Sequence, residues 1–297
     1  MTKAGFAAVI GAPNAGKSTL VNRLVGSKVS IVTQKAQTTR FAIRGVAVEG
    51  DSQIVLVDTP GIFKPRRRLD RAMVGAAWGP TRDADVVVHL VDASSERAGE
   101  LEPGFFEGLQ KTSAAVLLAL NKIDLIRRDQ LLGLAEGLSK DQAYAEVFMI
   151  SALDGAGVVQ LKSRLAALMP ASLWLYPADQ CGDLSARLLA AEITREKLYL
   201  RVHDELPYAA AVETTAFDER PDGSARIEQE IYVEREGQRA ILIGKGGQTL
   251  KWIGQASRRE LAELLERPVH LFLHVKVKAN WTEDRGHYRS LGLDFDA

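Results

Sequence analysis

At 297 residues the chain is long enough for about two domains, each able to bury a core. Apolar residues at 46% and charged residues at 26% exclude the disordered and fibrous classes. The 38 basic and 38 acidic side chains cancel, so global charge argues neither for nor against a polyanionic partner.

A single cysteine, Cys181, excludes an internal disulfide framework and fits a reducing compartment. The opening Met1-Thr2-Lys3-Ala4-Gly5 runs into a strand-like stretch without a signal-peptide pattern. No apolar run approaches the 18 or so residues of a spanning helix, which leads us to expect a soluble or at most peripheral protein.

Along the first 170 residues strand-like and helix-like stretches alternate. Apolar runs at Gly5–Ile10, Gln53–Asp58, Asp85–Val91, Ala114–Leu120 and Val147–Ile150 read as buried strands. Phe41–Val48 joins Gln53–Asp58 through Glu49-Gly50-Asp51-Ser52, a hairpin signal. Helical stretches fall near Lys17–Val25, Leu69–Thr81, Leu101–Gln110, Asp129–Tyr144 and Val158–Leu168. The order predicts an α/β domain over 1–170: six strands, mostly parallel, with helices on both faces. Residues 171–182, with Pro177, Cys181 and Gly182, read as a linker.

Residues 183–297 follow another order: helix (Ser185–Glu205), two strands (Ala209–Phe217, Arg226–Arg235), short helix (Gln238–Ile243), Gly-rich turn, long helix (Thr249–Leu265), strand (Val269–Lys278). That is a smaller α+β domain. Charge divides unevenly: Met1–Gly182 carries 21 basic and 18 acidic residues, Asp183–Ala297 carries 17 and 20. Yet Gly237–Arg259 holds Arg239, Lys245, Lys251, Arg258 and Arg259 with no acid.

Gly11-Ala12-Pro13-Asn14-Ala15-Gly16-Lys17-Ser18 matches G-x-x-x-x-G-K-[ST] between a strand and a helix, with Thr19 next inside the helix. Glycines let backbone N–H groups converge on phosphate oxygens, and the helix N-terminus adds positive potential. Lys17 would reach the β- and γ-phosphates, and Ser18 would ligate Mg²⁺. Asn121-Lys122-Ile123-Asp124 ends a buried strand about 100 residues on, where α/β sheets bind ligands. A carboxylate at Asp124 accepts from guanine N1–H and N2–H₂, a donor pair adenine lacks. Asn121 would bind the other edge or brace the loops, and the Lys122 stem would lie over the base. Ser151-Ala152-Leu153 stands where a backbone N–H could meet guanine O6.

Asp58-Thr59-Pro60-Gly61 closes another strand; Asp58 would hold Mg²⁺ through water and the Gly61 N–H would sense a γ-phosphate. In Gln37-Thr38-Thr39-Arg40 one threonine should complete the Mg²⁺ shell, and Thr39 is chosen over Thr38. The residue after Gly61 is Ile62, whose side chain cannot polarise water.

These motifs resemble the Ras-like, translation-factor-class GTPases, with Lys17, Thr39 and Gly61 in the catalytic parts. Many such enzymes carry Gln at the position of Ile62, so a slow GTPase is implied. Asn14 is similar to the asparagine that ligates K⁺ in members of this group; bracing the loop is the equal alternative. Ile243-Gly244-Lys245-Gly246-Gly247, followed by Lys251, is a G-x-x-G loop in the helix and strand order of a type II KH domain. There the backbone approaches a nucleic-acid phosphate. Arg258 and Arg259 serve that site or form a solvated face, and Trp252 and Ile253 read as core.

A P-loop, Q-T-T-R, D-T-P-G-I and N-K-I-D joined to a type II KH domain resembles the Era family of GTPases over the whole chain. Glu205-Leu206-Pro207-Tyr208 followed by Ala211-Val212-Glu213 adds to the resemblance. It implies GTP/GDP, Mg²⁺ and K⁺ as cofactors, binding near the 3′ end of 16S ribosomal RNA, and a role in assembling the 30S subunit. It further implies a cytoplasmic monomer, with peripheral contact at the inner membrane as an accompanying expectation. Arg66-Arg67-Arg68 departs from the mixed charge expected there and is open between an RNA contact and a solvated loop. The runner-up reading is a GTPase whose second domain binds a protein or membrane surface; an ATP-dependent kinase is disfavoured by N-K-I-D.

Overall fold

Residues 1–98, 100–141 and 144–297 are described by the structure, a computed structural model. They form two units, residues 1–183 with 288–297, and residues 184–287.

The first unit runs β1 (Lys3–Ile10), α1 (Lys17–Val25), β2 (Ile43–Glu49), β3 (Ser52–Asp58), α2 (Arg68–Trp78), β4 (Val86–Asp92), α3 (Phe105–Leu109), β5 (Ala115–Asn121), α4 (Arg128–Asp141), β6 (Glu146–Met149) and α5 (Val158–Leu168). The sheet order is β2-β3-β1-β4-β5-β6, with β2 antiparallel to β3 and every other pair parallel. Period-two alternation explains why the central strands are apolar throughout. Ala7 and Val9 face the side where α1 and α5 bury Leu20, Val21, Leu24, Leu161 and Leu165. Ala8 and Ile10 face the other side, against Ala77 of α2 and Phe105 and Leu109 of α3.

The expected helix near Asp129–Tyr144 is α4, and its continuation through residues 142 and 143 lies outside the described residues. Residues 171–182, expected as a linker, pack along β2 and β3. Gln53 Oε1 accepts from the Leu175 and Tyr176 N–H groups at 2.8 and 3.0 Å, and Val46 N–H donates to the Cys181 carbonyl at 2.8 Å. A buried glutamine has to satisfy its amide, and this segment does so.

In the second unit, α6 (Ala186–Arg201), β7 (Ala211–Glu219), β8 (Ala225–Val233), α7 (Glu236–Ile243), α8 (Gln248–Leu264) and β9 (Val269–Val277) give a three-stranded sheet in the order β7-β8-β9. β7 is antiparallel and β9 parallel to β8. Leu198 and Tyr199 of α6, Leu242 of α7 and Ile253 of α8 pack on Ile231 and Val233 of β8. Buried polar groups on α6 are paired inside the protein: Thr194 donates to Gln229 Oε1 at 2.6 Å, and Arg195 donates to Glu192. A short helix, α9 (Arg285–Ser290), precedes the C-terminal tail. Among the described residues no helix is long and apolar enough to cross a membrane.

Candidate nucleotide site and nucleic-acid groove

The chain leaves β1 through glycines that the close packing requires. At Gly11 (φ 149°) a Cβ would stand 2.2 Å from the Leu90 carbonyl oxygen; at Gly16 (φ 97°) it would stand 2.3 Å from Asn121 Nδ2. The loop therefore curls tightly enough for Lys17 to fold back over it. Lys17 is buried, and its Nζ donates to the Gly11 and Ala12 carbonyls at 3.1 and 2.8 Å. Burial pushes its pKa down to about 8, with nearby Asp58 pulling the other way. Ala15 is buried under the loop, Ala12 and Asn14 are exposed, and Pro13 and Thr19 are half-buried. Asn14 is exposed and holds a left-handed φ of 62°, and no hydrogen bond engages its side chain among the described residues.

Three expected metal ligands converge. Ser18 Oγ donates to Asp58 Oδ2 at 2.7 Å and lies 2.9 Å from Thr39 Oγ1, which is itself 3.4 Å from Asp58 Oδ2. Thr38 turns away: its hydroxyl donates to the Lys35 carbonyl at 2.7 Å and lies 2.6 Å from Thr33 Oγ1. Asp58 is fully buried, and burial raises its pKa against the opposing hydrogen bond from Ser18 and the charge of Lys17. Its Oδ1 is buried and has no hydrogen-bond partner among the described residues. An orphaned carboxylate oxygen beside two hydroxyls is a donor set that suits a hydrated Mg²⁺.

Gly61 passes so close to the P-loop that a Cβ would meet Pro13 N at 2.7 Å. Thr59 anchors the approach by donating to the Val9 carbonyl at 2.8 Å, and the Ile62 N–H donates to the Gly11 carbonyl at 3.0 Å. The Ile62 side chain lies in the core with Ala8, Ile10, Ala77, Val87 and Phe105. It is an apolar packing residue there and carries no group that could take a proton from water.

At the base end, Asn121 braces two loops. Its Nδ2 donates to the Ala15 carbonyl at 2.8 Å and its Oδ1 accepts from the Ala152 N–H at 2.9 Å. Lys122 takes a left-handed φ of 64° and pairs with Asp92 Oδ2 at 2.5 Å. The exposed Asp124 carboxylate makes no hydrogen bond among the described residues, so both oxygens are available to a base. Of Ser151, Ala152 and Leu153, the first two donate their N–H groups to the Ala156 carbonyl and to Asn121 Oδ1. Arg23 donates to the Ala152 and Leu153 carbonyls and fixes this loop.

Arg23, Asp92 and Asp70 were not singled out by the sequence: Arg23 and Asp92 act on partners 30 or more residues away, and Asp70 joins two near backbone groups to Gln37, 33 residues away. Asp70 Oδ2 accepts from the Arg66 and Arg67 N–H groups at 3.0 Å each, and its Oδ1 accepts from Gln37 at 3.2 Å. It thereby ties the Q-T-T-R loop to the segment after D-T-P-G.

In the second unit, Gly244, Gly246 and Gly247 all hold positive φ (74°, 59° and 76°), conformations that join α7 to α8 within four residues. Nothing lies within 4 Å of a Cβ built on Gly246 or Gly247, so a phosphate has room to reach the backbone. Ile243 and Gly244 are half-buried, Lys245 and Lys251 exposed. A cleft of about 380 Å³ follows, lined in part by Gly247, Lys251, Arg258, Leu271 and Leu273. Arg259 is not among its lining residues. Ile253 is core as expected, but Trp252 is 38% exposed, with the Arg201 guanidinium 5.5 Å from its ring centre. The long helix turns Trp252 outward, one position off its buried stripe of Ile253, Ser257 and Leu261.

Known proteins share both halves. The family described as 50S ribosome-binding GTPase matches residues 6–122, and the KH domain family matches residues 205–282. GTPase Era of Caulobacter vibrioides is 66% identical over 99% of this chain and 98% of its own length. GTPase Era of Maricaulis maris is 57% identical over 99% and 98%. Among solved structures, Era in complex with MgGDPNP and nucleotides 1506–1542 of 16S ribosomal RNA superposes with a TM-score of 0.90. It is 37% identical and covers 98% of this chain and 99% of its own. A variant of Aquifex aeolicus Era bound to GDP and AlF₄⁻ gives 0.89 at 38% identity over 98% and 99%.

Proposed function

The chain belongs to the Era family of GTPases, and from that premise we propose that its GTP cycle controls binding of the KH groove to the 3′ end of 16S ribosomal RNA during assembly of the small subunit. It works as a cytoplasmic monomer that converts GTP and water to GDP and phosphate. The observation that carries this reading is the convergence of Ser18, Thr39 and Asp58 on one point, on the same chain as an open G-x-x-G groove.

Each residue then has a task. Lys17 exchanges two loop carbonyls for phosphate oxygens, and its charge stabilises the negative charge that builds up as the γ-phosphoryl leaves. Mg²⁺, when bound, neutralises β- and γ-oxygens; Ser18 and Thr39 would hold it directly and Asp58 through water. Gly61 presents its N–H to the γ-phosphate, and Asp124 selects guanine. With Ile62 in the core no side chain there activates water, which makes the intrinsic reaction slow. Asn14, exposed, would be the residue to hold K⁺, which would supply positive charge to the phosphates when bound. Exchanging potassium for sodium then slows hydrolysis in the wild type and has little effect in Asn14→Ala.

Crosslinking to ribosomal particles, with GDP or a non-hydrolysable GTP analogue bound, tests the proposal. The expected product joins the second unit to the 3′ end of 16S RNA in small-subunit particles, and more of it forms with the analogue. Crosslinks only to large-subunit particles or only to protein would overturn it.

A further inference from the structure

Five basic side chains follow the D-T-P-G loop within eight residues: Lys64, Arg66, Arg67, Arg68 and Arg71. They fall into two groups. Arg68 and Arg71 are occupied by the tail of the chain itself. The Arg68 guanidinium stacks 4.3 Å from the Phe295 ring centre and donates to the Phe295 carbonyl at 3.4 Å, and Arg71 Nε donates to the Ala297 oxygen at 3.1 Å.

Lys64, Arg66 and Arg67 are different. All three are exposed, and no hydrogen bond or ion pair engages their side chains among the described residues. Their backbone is nevertheless fixed, because Asp70 accepts the N–H groups of both Arg66 and Arg67. Asp70 is itself buried, so its charge is turned inward to the backbone. Glu102 lines the adjoining cleft with Lys64 but does not pair with it. Three long cations within four residues, two of them on a pinned backbone and none engaged in an ion pair among the described residues, concentrate positive charge on one segment. A polyanion would neutralise that charge, and flexible point charges suit phosphates whose spacing varies.

We propose that Lys64, Arg66 and Arg67 form a second RNA contact, on the GTPase unit, that binds the ribose-phosphate backbone without reading sequence. The contact rests on the RNA-binding function proposed above and adds to it a site outside the KH groove. It differs from that groove in chemistry: charge alone, with no glycine path to the phosphates.

The test uses the full chain with a GTP analogue bound and deproteinised 16S RNA, titrated between 50 and 200 mM salt. The combined variant Lys64→Ser, Arg66→Ser and Arg67→Ser should bind on the order of tenfold more weakly at low salt. Its plot of log affinity against log salt should be shallower by about 2, since each lost phosphate contact removes roughly 0.7 to 0.9. Unchanged nucleotide affinity and melting temperature show that the variant is folded; serine suits position 67, where α2 begins. Lys64→Arg, Arg66→Lys and Arg67→Lys together should restore both slope and affinity. An identical slope and affinity in the serine variant would overturn the second contact while leaving KH-mediated binding intact. Weaker binding to small-subunit particles but not to naked RNA would overturn it in favour of an acidic ribosomal protein. Failure of the wild type to bind RNA at all would overturn the proposed function and this contact with it.

Discussion

Around the P-loop the buried Lys17 and Asn121 and the Ser18 hydroxyl already have partners inside the protein, whereas the glycine loop of the second unit leaves its charge facing water. Lys17, Ser18, Asp58 and Asn121 are tied to one another or to backbone before any nucleotide arrives. Lys245 and Lys251 are exposed beside a cleft open to solvent. A preorganised site loses little entropy on binding and discriminates sharply, because a misfit ligand strands buried polar groups. An open, charged groove is graded and sensitive to salt. The contrast suits a small ligand of one shape at one end and a long, flexible polyanion at the other.

The contrast breaks first at Lys17. Removing the ammonium in Lys17→Ala deletes two charge-assisted bonds to phosphate, each worth about 1.5–3 kcal/mol. GTP affinity should fall on the order of 100- to 10,000-fold in a fluorescent-nucleotide titration, with RNA binding by the second unit unaffected. The wild-type pH profile sharpens the point. The free lysine titrates at about 8, and phosphate favours its charged form. GTP affinity should therefore be constant below pH 8 and weaken as pH rises through it, while Lys17→Ala loses that dependence. A wild-type affinity flat across pH 7 to 9 would show that Lys17 keeps its charge despite burial.

In the second unit, Lys245→Asp combined with Gly246→Asp reverses charge where a phosphate would approach and fills space the glycine leaves empty. RNA affinity should drop roughly 100-fold or more, with GTP affinity unchanged. Unaltered RNA binding would move the interface elsewhere on the protein.

The motifs made much of this legible in sequence. Glycine and lysine spacing located the P-loop, and N-K-I-D at a strand end located the base site, because those functions demand local patterns. Geometry that depends on distant partners was not legible. The expected role of Asn121 stayed open because its partners, Ala15 and Ala152, come from two other loops. Gln53, whose amide holds residues 175 and 176 against the sheet, looks in sequence like any residue of a strand. The docking of Phe295 and Ala297 on α2 has no periodicity to announce it. Trp252 shows the reverse error: its type suggested burial, and the helix phase put it outside.

A smaller effect is expected at the base. Asp124→Asn keeps the shape but presents an amide donor to guanine N1–H, so GTP should bind about 10- to 100-fold more weakly and xanthosine triphosphate correspondingly better. Unchanged preference for GTP would remove Asp124 from base recognition.

What joins the two contrasting sites is the claim that nucleotide state sets RNA affinity, through the Thr39 and Gly61 loops that would meet Mg²⁺ and the γ-phosphate. One 16S 3′-end oligonucleotide, titrated against the full chain with GDP or a non-hydrolysable GTP analogue bound, measures it directly. Affinities should differ by a factor in the range of about 5 to 150, tighter with the analogue. The same factor must reappear as tighter analogue binding when RNA is present, because coupling between two sites is reciprocal. Equal RNA affinities in the two nucleotide states would contradict the switch, leaving a GTPase and an RNA binder on one chain with no communication between them.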